Sequence, residues 1–462
     1  MVRIFRHYVS PVKLTIALVD FGVVLASVFL AELIRYEMIG LQSFLESQSL
    51  IANLLVPCVV IPILLGVGGY EAEAISDMRV FFLRLMVGLL GSGLALSAFL
   101  YMLPMLPLWR SILLMTILLG GLLVFVTHWL FLKFTDRNFL SRRVVVLGAG
   151  ASALELMQLS GRAADAGLTI VATIALPEDT VVVKDSVPIE EIGNLEQFIH
   201  MYQAELVIIA GDITKSLPVE ALIACKLAGV EVQDRLAFFE QVRGYVDLAS
   251  VKAEWIIFSD GFKGGSGWER ALKRVSDIVV SLSALILFMP IILLAALAVK
   301  VTSKGPIFYR QERVGLNGAC FNLLKFRSMK VDAEKDGVPE FAQKADPRVT
   351  PVGSFLRRTR IDELPQVMSV LKGDMSFVGP RPERPFFVSQ LEKEIPFFKE
   401  RHCLKPGITG WAQIQYPYGA SFEDSKRKLE YDLYYIKNYS IFLDLLIILQ
   451  TIRVILFPVG VR

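Results

Sequence analysis

The sequence is poor in the residues that build metal and disulfide frameworks. Its 462 residues hold four cysteines and four histidines, and Cys58, Cys225, Cys320 and Cys403 lie far apart, so no zinc or disulfide spacing is readable. No Asp-x-Asp pair occurs, which argues against a glycosyltransferase that holds its metal in that motif. Nor is there a Gly-x-x-x-x-Gly-Lys-Ser/Thr loop, which argues against an ATPase built on one. The formal net charge is only +3, and nothing in it calls for a nucleic-acid partner.

Apolar residues are abundant. They make up 54% of the chain against 20% charged, the mixture of a membrane part joined to a water-facing part, and the length suggests two or three domains. Four apolar runs, Leu14 to Leu33, Ile51 to Gly69, Val80 to Leu103 and Ile112 to Leu132, each approach the ~20 residues that cross a bilayer as a helix. The first is too long for a signal peptide and no cleavage site follows it, so it reads as an anchor. Arg3, Arg6 and Lys13 precede the first run, and Lys133, Arg137, Arg142 and Arg143 follow the fourth, which predicts cytoplasmic ends for a four-helix bundle. The acidic loop "YEAEAISDMR" runs against that rule.

After "DRNFLSRR" the pattern becomes strand, glycine turn and helix in "VVVLGAGASALELMQL", where Gly148, Gly150 and Ala153 fit a G-x-G-x-x-A phosphate turn. The runs "LTIVATIAL", "ELVIIAG" and "GVEVQD" alternate with helical segments to about residue 240, which predicts a Rossmann-like α/β domain. No clear acidic residue ends the second strand to hold a ribose. Gly148 and Gly150 are therefore a possible nucleotide turn or a turn kept for structure.

A fifth apolar segment, Asp277 to Val299, carries Pro290 near its middle, where a proline removes a backbone donor and favours a kink. Lys273 and Arg274 precede it and Lys300, Lys304, Arg310 and Arg313 follow. Positive charge on both flanks predicts a helix that enters the cytoplasmic leaflet and returns, leaving the remainder of the chain in the cytoplasm.

The polar chemistry lies downstream. "FNLLKFRSMK" predicts a strand with Lys325 and Arg327 on one face and Phe326 on the other, a phosphate clamp or a solvated edge. In "RRTRIDELPQ" a helix from about Gly353 would put Arg358 and Asp362 on one face, with Arg357 and Arg360 flanking. A surface i,i+4 ion pair would account for that much, but not for the adjacent Glu363 or for Pro365. Arg381 stands between prolines in "GPRPERP". Rigid cations beside paired carboxylates suit a pyrophosphate substrate: cations hold phosphates, one carboxylate binds a hard divalent ion and another can attack phosphorus.

Lys325-Phe326-Arg327-Ser328-Met329, Asp362-Glu363-Leu364-Pro365-Gln366, Gly379-Pro380-Arg381-Pro382 and Lys405-Pro406-Gly407-Ile408-Thr409-Gly410-Trp411-Ala412-Gln413 follow one another after the Pro-containing apolar segment. In this order they resemble the bacterial polyprenyl-phosphate sugar-1-phosphate transferases, and more narrowly the long monotopic-type enzymes that initiate exopolysaccharide synthesis. The resemblance implies an α/β membrane protein of three parts. These are a transmembrane four-helix region at 1–135, a Rossmann-like regulatory or structural domain at 141–250, and a mostly α catalytic domain with short strands at 268–462. The catalytic domain would contain a re-entrant membrane helix at 272–301 kinked at Met289 and Pro290.

The implied reaction has two steps. Asp362 attacks the sugar-bearing phosphate of a UDP-sugar and releases UMP; polyprenyl (undecaprenyl) phosphate then takes the sugar phosphate from the aspartyl intermediate. Glu363 would hold Mg2+, and Lys325, Arg327, Arg357 and Arg381 would hold phosphates. The implied location is the bacterial inner membrane, multi-pass, with the catalytic part cytoplasmic and in contact with membrane lipid; relatives also suggest a homodimer through the middle domain. Two departures stand out: Met289 where many relatives have Ser before the proline, and "IQYPYGASFED" where many continue with Asn-Gly-Arg. Two other classes remain open, a membrane-anchored nucleotide-binding scaffold or sensor and a glycosyltransferase releasing UDP. The aromatic and basic runs 384–402 and 431–457 read as interfacial helices lying on the membrane, with an ordinary core helix equally open for the second.

Overall fold

The computed structural model describes residues 2–4, 7–39, 50–102, 109–134, 141–163, 168–177, 179–210, 217–259, 261–262, 265–330, 348–416, 419 and 421–457. Arg6 and Arg137, two of the charges that bear on membrane orientation, lie outside the described residues. The chain divides into two compact units, one made chiefly of Tyr8–Gly244 and the other chiefly of Tyr245–Arg462.

The first unit opens with four apolar helices: α1 (Pro11–Ile39), α2 (Leu50–Val67), α3 (Met78–Met102) and α4 (Arg110–Phe134). Three are long and apolar enough to cross a membrane, and α2 is a shorter apolar helix at Ile51–Val67. Val28, Val56, Leu64, Leu85 and Leu96 pack among them with 2% exposure or less. Some polar groups inside are paired: Asn53 Nδ2 donates to Glu32 at 3.1 Å, and Arg84 reaches Glu73 at 2.7 Å and the Gly68 carbonyl at 2.8 Å, whereas Thr116 Oγ1 and His128 Nε2 are buried with no hydrogen-bond partner among the described residues. The acidic loop expected after α2 forms a short helix, Ala72–Ser76, that supplies Glu73.

Next comes a five-stranded parallel sheet: β1 (Arg142–Leu147), which leads through the glycine turn into α5 (Ala151–Ala163), β2 (Leu168–Ala175), β3 (Val187–Pro188), β4 (Leu206–Ile209) and β5 (Glu231–Asp234). The spatial order is 3-2-1-4-5, that of a doubly wound α/β sheet. Val144 to Leu147 are each at most 1% exposed, because helices cover both faces of such a sheet and the central strand has no polar side. Strands β1, β2, β4 and β5 fall on the apolar runs singled out in the sequence, and the two-residue edge strand β3 does not.

The second unit is built around α6 (Gly267–Thr302), a 36-residue helix started by a capping box between Ser266 and Glu269. A hairpin follows, β6 (Phe308–Val314) antiparallel to β7 (Cys320–Phe326). Then come α7 (Pro351–Arg358), a 3-10 turn at Ile361–Gln366, and α8 (Val367–Lys372), closed by Gly373 in a left-handed conformation. Strand β8 (Ser376–Val378) runs parallel to β9 (Gly407–Thr409), and α9 (Phe422–Lys437) and α10 (Ile441–Leu456) complete the unit. In the run 431–457, left open between a membrane surface and a core helix, the first part is core: Leu433, Tyr434, Tyr435 and Ile436 are at most 1% exposed. Their phenol rings bury most of their area inside the unit and their hydroxyls find partners there, Tyr435 donating to Asp444 at 2.7 Å.

Candidate active site

The continuous helix expected across Arg358 and Asp362 is broken at Arg360, whose φ of 59° is left-handed. That residue ends α7 and starts the 3-10 turn, so the i,i+4 face that would have joined Arg358 to Asp362 does not exist. A 3-10 turn rotates about 120° per residue, and the two adjacent carboxylates therefore leave it in different directions. Glu363 turns toward the cations: Arg381 Nη2 donates to its Oε1 at 2.8 Å, Lys325 Nζ reaches the same oxygen at 3.2 Å, and Arg360 lies 3.7 Å from Oε2. Asp362 is 7% exposed, and among the described residues nothing hydrogen-bonds its carboxylate.

The electrostatics follow that split. Burial raises the Asp362 carboxyl to about 6, with the Glu363 charge adding to the rise, while Lys325, Arg357 and Arg360 pull it back. Burial also acts upward on Glu363, but Arg381 and Lys325 outweigh it and hold that carboxyl well below the ordinary range. Lys325 is lowered by its own burial, against the attraction of Glu363. One carboxylate is thus locked as an anion between cations. Its neighbour keeps its oxygens uncommitted.

Close backbone approaches bring the sequence motifs together. A Cβ on Gly353 would fall 2.0 Å from the Ser328 carbonyl oxygen, so only glycine lets α7 lie against the end of the Lys325 strand, where Thr350 N donates to that same carbonyl at 3.0 Å. Across β8 and β9, Gly379 N donates to Thr409 O and Gly407 N to Pro380 O, both at 2.9 Å. This pairing sets Arg381 beside the last motif, where Arg381 Nη1 donates to Gln413 Oε1 at 2.9 Å. Gln413 therefore belongs to the site. Its place in the last motif was the available signal, but its role depends on a contact across 32 positions of chain.

Arg327 does not join Lys325. Strand β7 ends at Phe326, and the buried Arg327 guanidinium donates to the Lys304 carbonyl at 3.0 Å and to the Ser303 carbonyl and hydroxyl at 2.8 and 2.6 Å. The expected shared face with Lys325 stops where the strand does. Arg357 sits in the last turn of α7 within electrostatic reach of Asp362. Met289 and Pro290 lie inside α6, with Met289 40% exposed.

In the first unit, Gly148 adopts a φ of 118° after β1, a conformation that favours glycine. A Cβ on Gly150 would have room, its nearest neighbour being the Thr180 carbonyl oxygen at 3.9 Å. The Ala149 amide between them, of the kind a bound phosphate uses in such turns, donates to Asp179 Oδ2 at 2.7 Å. That amide is committed within its own unit.

Among the described residues no group of three or more His, Cys, Asp or Glu side chains gathers for a metal. Two adjacent carboxylates fit a magnesium ion only in its usual enzymatic form, held by one or two carboxylates with substrate phosphate oxygens and water completing the shell. On Glu363, Oε1 takes both close cation contacts, leaving Oε2 as the oxygen suited to such an ion.

A model of the family described as bacterial sugar transferase matches residues 268–458. The chain is 49% identical over 191 residues to the UDP-N-acetylgalactosamine-undecaprenyl-phosphate N-acetylgalactosaminephosphotransferase of Aeromonas hydrophila, covering 41% of this chain and 45% of that protein. It is 47% identical over 189 residues to the UDP-glucose:undecaprenyl-phosphate glucose-1-phosphate transferase of Escherichia coli (strain K12), covering 40% of each. It is 41% identical over 187 residues to the exopolysaccharide production protein PSS of Rhizobium leguminosarum bv. phaseoli, covering 39% of this chain and 93% of that one. The matched stretch thus spans less than half of the first two relatives.

Proposed function

The chain belongs to the bacterial sugar transferase family, and from that premise we propose that it transfers a sugar 1-phosphate from a UDP-sugar to undecaprenyl phosphate and releases UMP. The observation that carries this reading is the split between the two carboxylates, one held by cations and one buried with its oxygens uncommitted. In the first step an Asp362 oxygen attacks the phosphorus that bears the sugar. The bond from that phosphorus to the bridging oxygen breaks, and the electron pair leaves with UMP. In the second step a phosphate oxygen of undecaprenyl phosphate attacks the same phosphorus, the acyl phosphate bond breaks, and Asp362 returns as carboxylate.

Lys325, Arg357 and Arg381 supply fixed positive charge where an anion must approach anionic phosphates. Arg327 acts differently, bracing the end of α6 through Ser303 and Lys304. Glu363 would hold Mg2+, which when bound screens the phosphate charge and polarises the reacting phosphoryl group. The names of the relatives single out UDP-glucose and UDP-N-acetylgalactosamine as the first donors to try.

We place α6 in the cytoplasmic leaflet as a bent, re-entrant helix. Its two ends touch neighbouring parts of one segment: Arg274 donates to the carbonyls of Val370 and Leu371 at 2.6 and 2.7 Å, while Ala295 and Val299 pack in a cluster with Phe326, Leu356 and Ile361. A straight helix would set residues 274 and 299 about 38 Å apart, whereas Ile361 and Val370 are separated by helical backbone of only about 15 Å. Between those ends Leu282, Ile286, Leu287 and Met289 are exposed, as lipid-facing residues would be. This arrangement puts Asp362 at the level of the acceptor's phosphate on the inner membrane's cytoplasmic side.

The test is purified protein with undecaprenyl phosphate, Mg2+ and each UDP-sugar, scoring UMP against UDP. UMP release by the parent and none by Asp362→Asn supports the reading. UDP release, or undiminished UMP release by the variant, removes Asp362 as nucleophile.

A further inference from the structure

The loop that carries Arg381 is held at its backbone by side chains from distant parts of the second unit. The Val378 carbonyl accepts from Lys273 Nζ at 3.1 Å and from the Tyr435 hydroxyl at 3.2 Å. The Arg381 carbonyl accepts from Arg401 Nη2 at 3.1 Å, and the Pro382 carbonyl from Arg313 Nη1 at 3.0 Å. On the amide side, Asp277 Oδ1 accepts from Phe377 N and from the Ser376 hydroxyl, both at 3.0 Å. The sequence explains the need: Pro380, Pro382 and Pro385 offer no N–H, so local turns cannot supply the donors these carbonyls require.

Two of the donors are buried ions with buried partners. Arg401 pairs with Asp432 at 2.7 Å, and Lys273 with Asp444 at 2.7 Å and Asp277 at 3.4 Å. All five residues are at most 8% exposed. A buried ion pair is a poor source of net stability, because desolvation cancels most of the attraction. Here each cation also donates to a carbonyl of one loop, and among the described residues none of the five hydrogen-bonds Asp362 or Glu363.

We propose that Arg401 with Asp432, seconded by Lys273 with Asp277 and Asp444, positions the Arg381 guanidinium against Glu363. They are positioning residues that act through the backbone on either side of Gly379 and Pro380. The consequence for turnover rests on the proposed function, in which Arg381 holds a phosphate; the consequence for the loop does not.

The experiment uses the full chain in detergent with the double variant Arg401→Gln/Asp432→Asn, which leaves neither charge unpaired. Two readouts are compared: amide hydrogen exchange across residues 376–384, and UMP release from UDP-glucose and UDP-N-acetylgalactosamine. Exchange at Arg381 and Glu383 is expected to rise about tenfold, with the peptide covering residues 142–147 unchanged. UMP release is expected to fall by about ten- to a hundredfold, and that fall should vanish when Arg381→Ala is the parent. Arg401→Lys, which keeps the charge and one donor, should recover part of both losses. Unchanged exchange in the loop overturns the proposal whatever the protein transfers. Equal losses of UMP release in the Arg381 and Arg381→Ala backgrounds also overturn it, since the pair would then act elsewhere. If the parent chain releases no UMP, the proposed function fails while the exchange measurement still decides the positioning role. Should the double variant not fold, Arg401→Lys alone, which keeps the pair with Asp432 but shortens the reach to the Arg381 carbonyl, should give a smaller rise in the same exchange, and no rise there overturns the proposal.

Discussion

At the residue scale, neighbours in sequence can be far apart in chemistry. Asp362 sits at about 6 because burial penalises its charge, and Glu363 stays ionised because Arg381 and Lys325 surround it. Replacing Asp362 with Asn removes the anion proposed to attack and changes no hydrogen bond, so on that reading UMP release should fall by at least about 10³-fold while the thermal midpoint holds or rises. Activity and melting curves on the same preparation check both halves. Glu363→Gln does the reverse, leaving Lys325 and Arg381 as like charges without their anion. The expected destabilisation is about 2–4 kcal/mol, taken below the full value for a buried pair because Arg381 is 24% and Arg360 37% exposed. Denaturant titration measures it. The carboxylate pair was legible in the sequence because two adjacent acids before a proline are hard to explain as a helix surface. The fate of Arg327 was not, since it depends on β7 ending one residue earlier than an alternating pattern suggests.

At the element scale, the helices and parallel strands follow from long apolar runs and their punctuation, and most were legible. What escaped the pattern were features set by tertiary contact. The break at Arg360 uses a left-handed conformation in a residue that does not advertise one, and the aromatic run of α9 carries enough lysine and arginine to pass for a membrane surface while its tyrosines are core. Gly353 shows how an element's position can rest on one missing methyl group. Gly353→Ala puts a Cβ into the Ser328 backbone, which cannot swing aside as a side chain could. α7 must then move off the strand that carries Lys325, at about 1–3 kcal/mol. We expect a lower unfolding midpoint and weaker UMP release together, whereas Gly150→Ala, where there is room, should leave both unchanged. Differential scanning fluorimetry and the nucleotide assay on the two variants make the comparison.

At the scale of the whole molecule, the question is how an apolar helix of 36 residues can serve a unit proposed to take a water-soluble nucleotide sugar. A spanning helix would separate its flanks by the bilayer, yet Arg274 donates to the Val370 and Leu371 carbonyls while Val299 packs in a cluster with Leu356 against which Ile361 lies. Single cysteines at Ser266 and Ser303, in a background lacking Cys58, Cys225, Cys320 and Cys403, should both react with a membrane-impermeant maleimide only from the cytoplasmic side. Labelling from opposite sides would sink the re-entrant arrangement. Pro290→Ala sharpens the test, because it restores a backbone donor and removes a clash together worth ~3 kcal/mol against a straight helix. If the bend depends on that proline, the variant helix straightens and its ends move apart. The two reporter cysteines should then separate across the membrane, and UMP release should fall because the turn carrying Asp362 loses one of its supports. If labelling and activity both survive, the bend is held by the contacts at its two ends, and the proline is only tolerated within it.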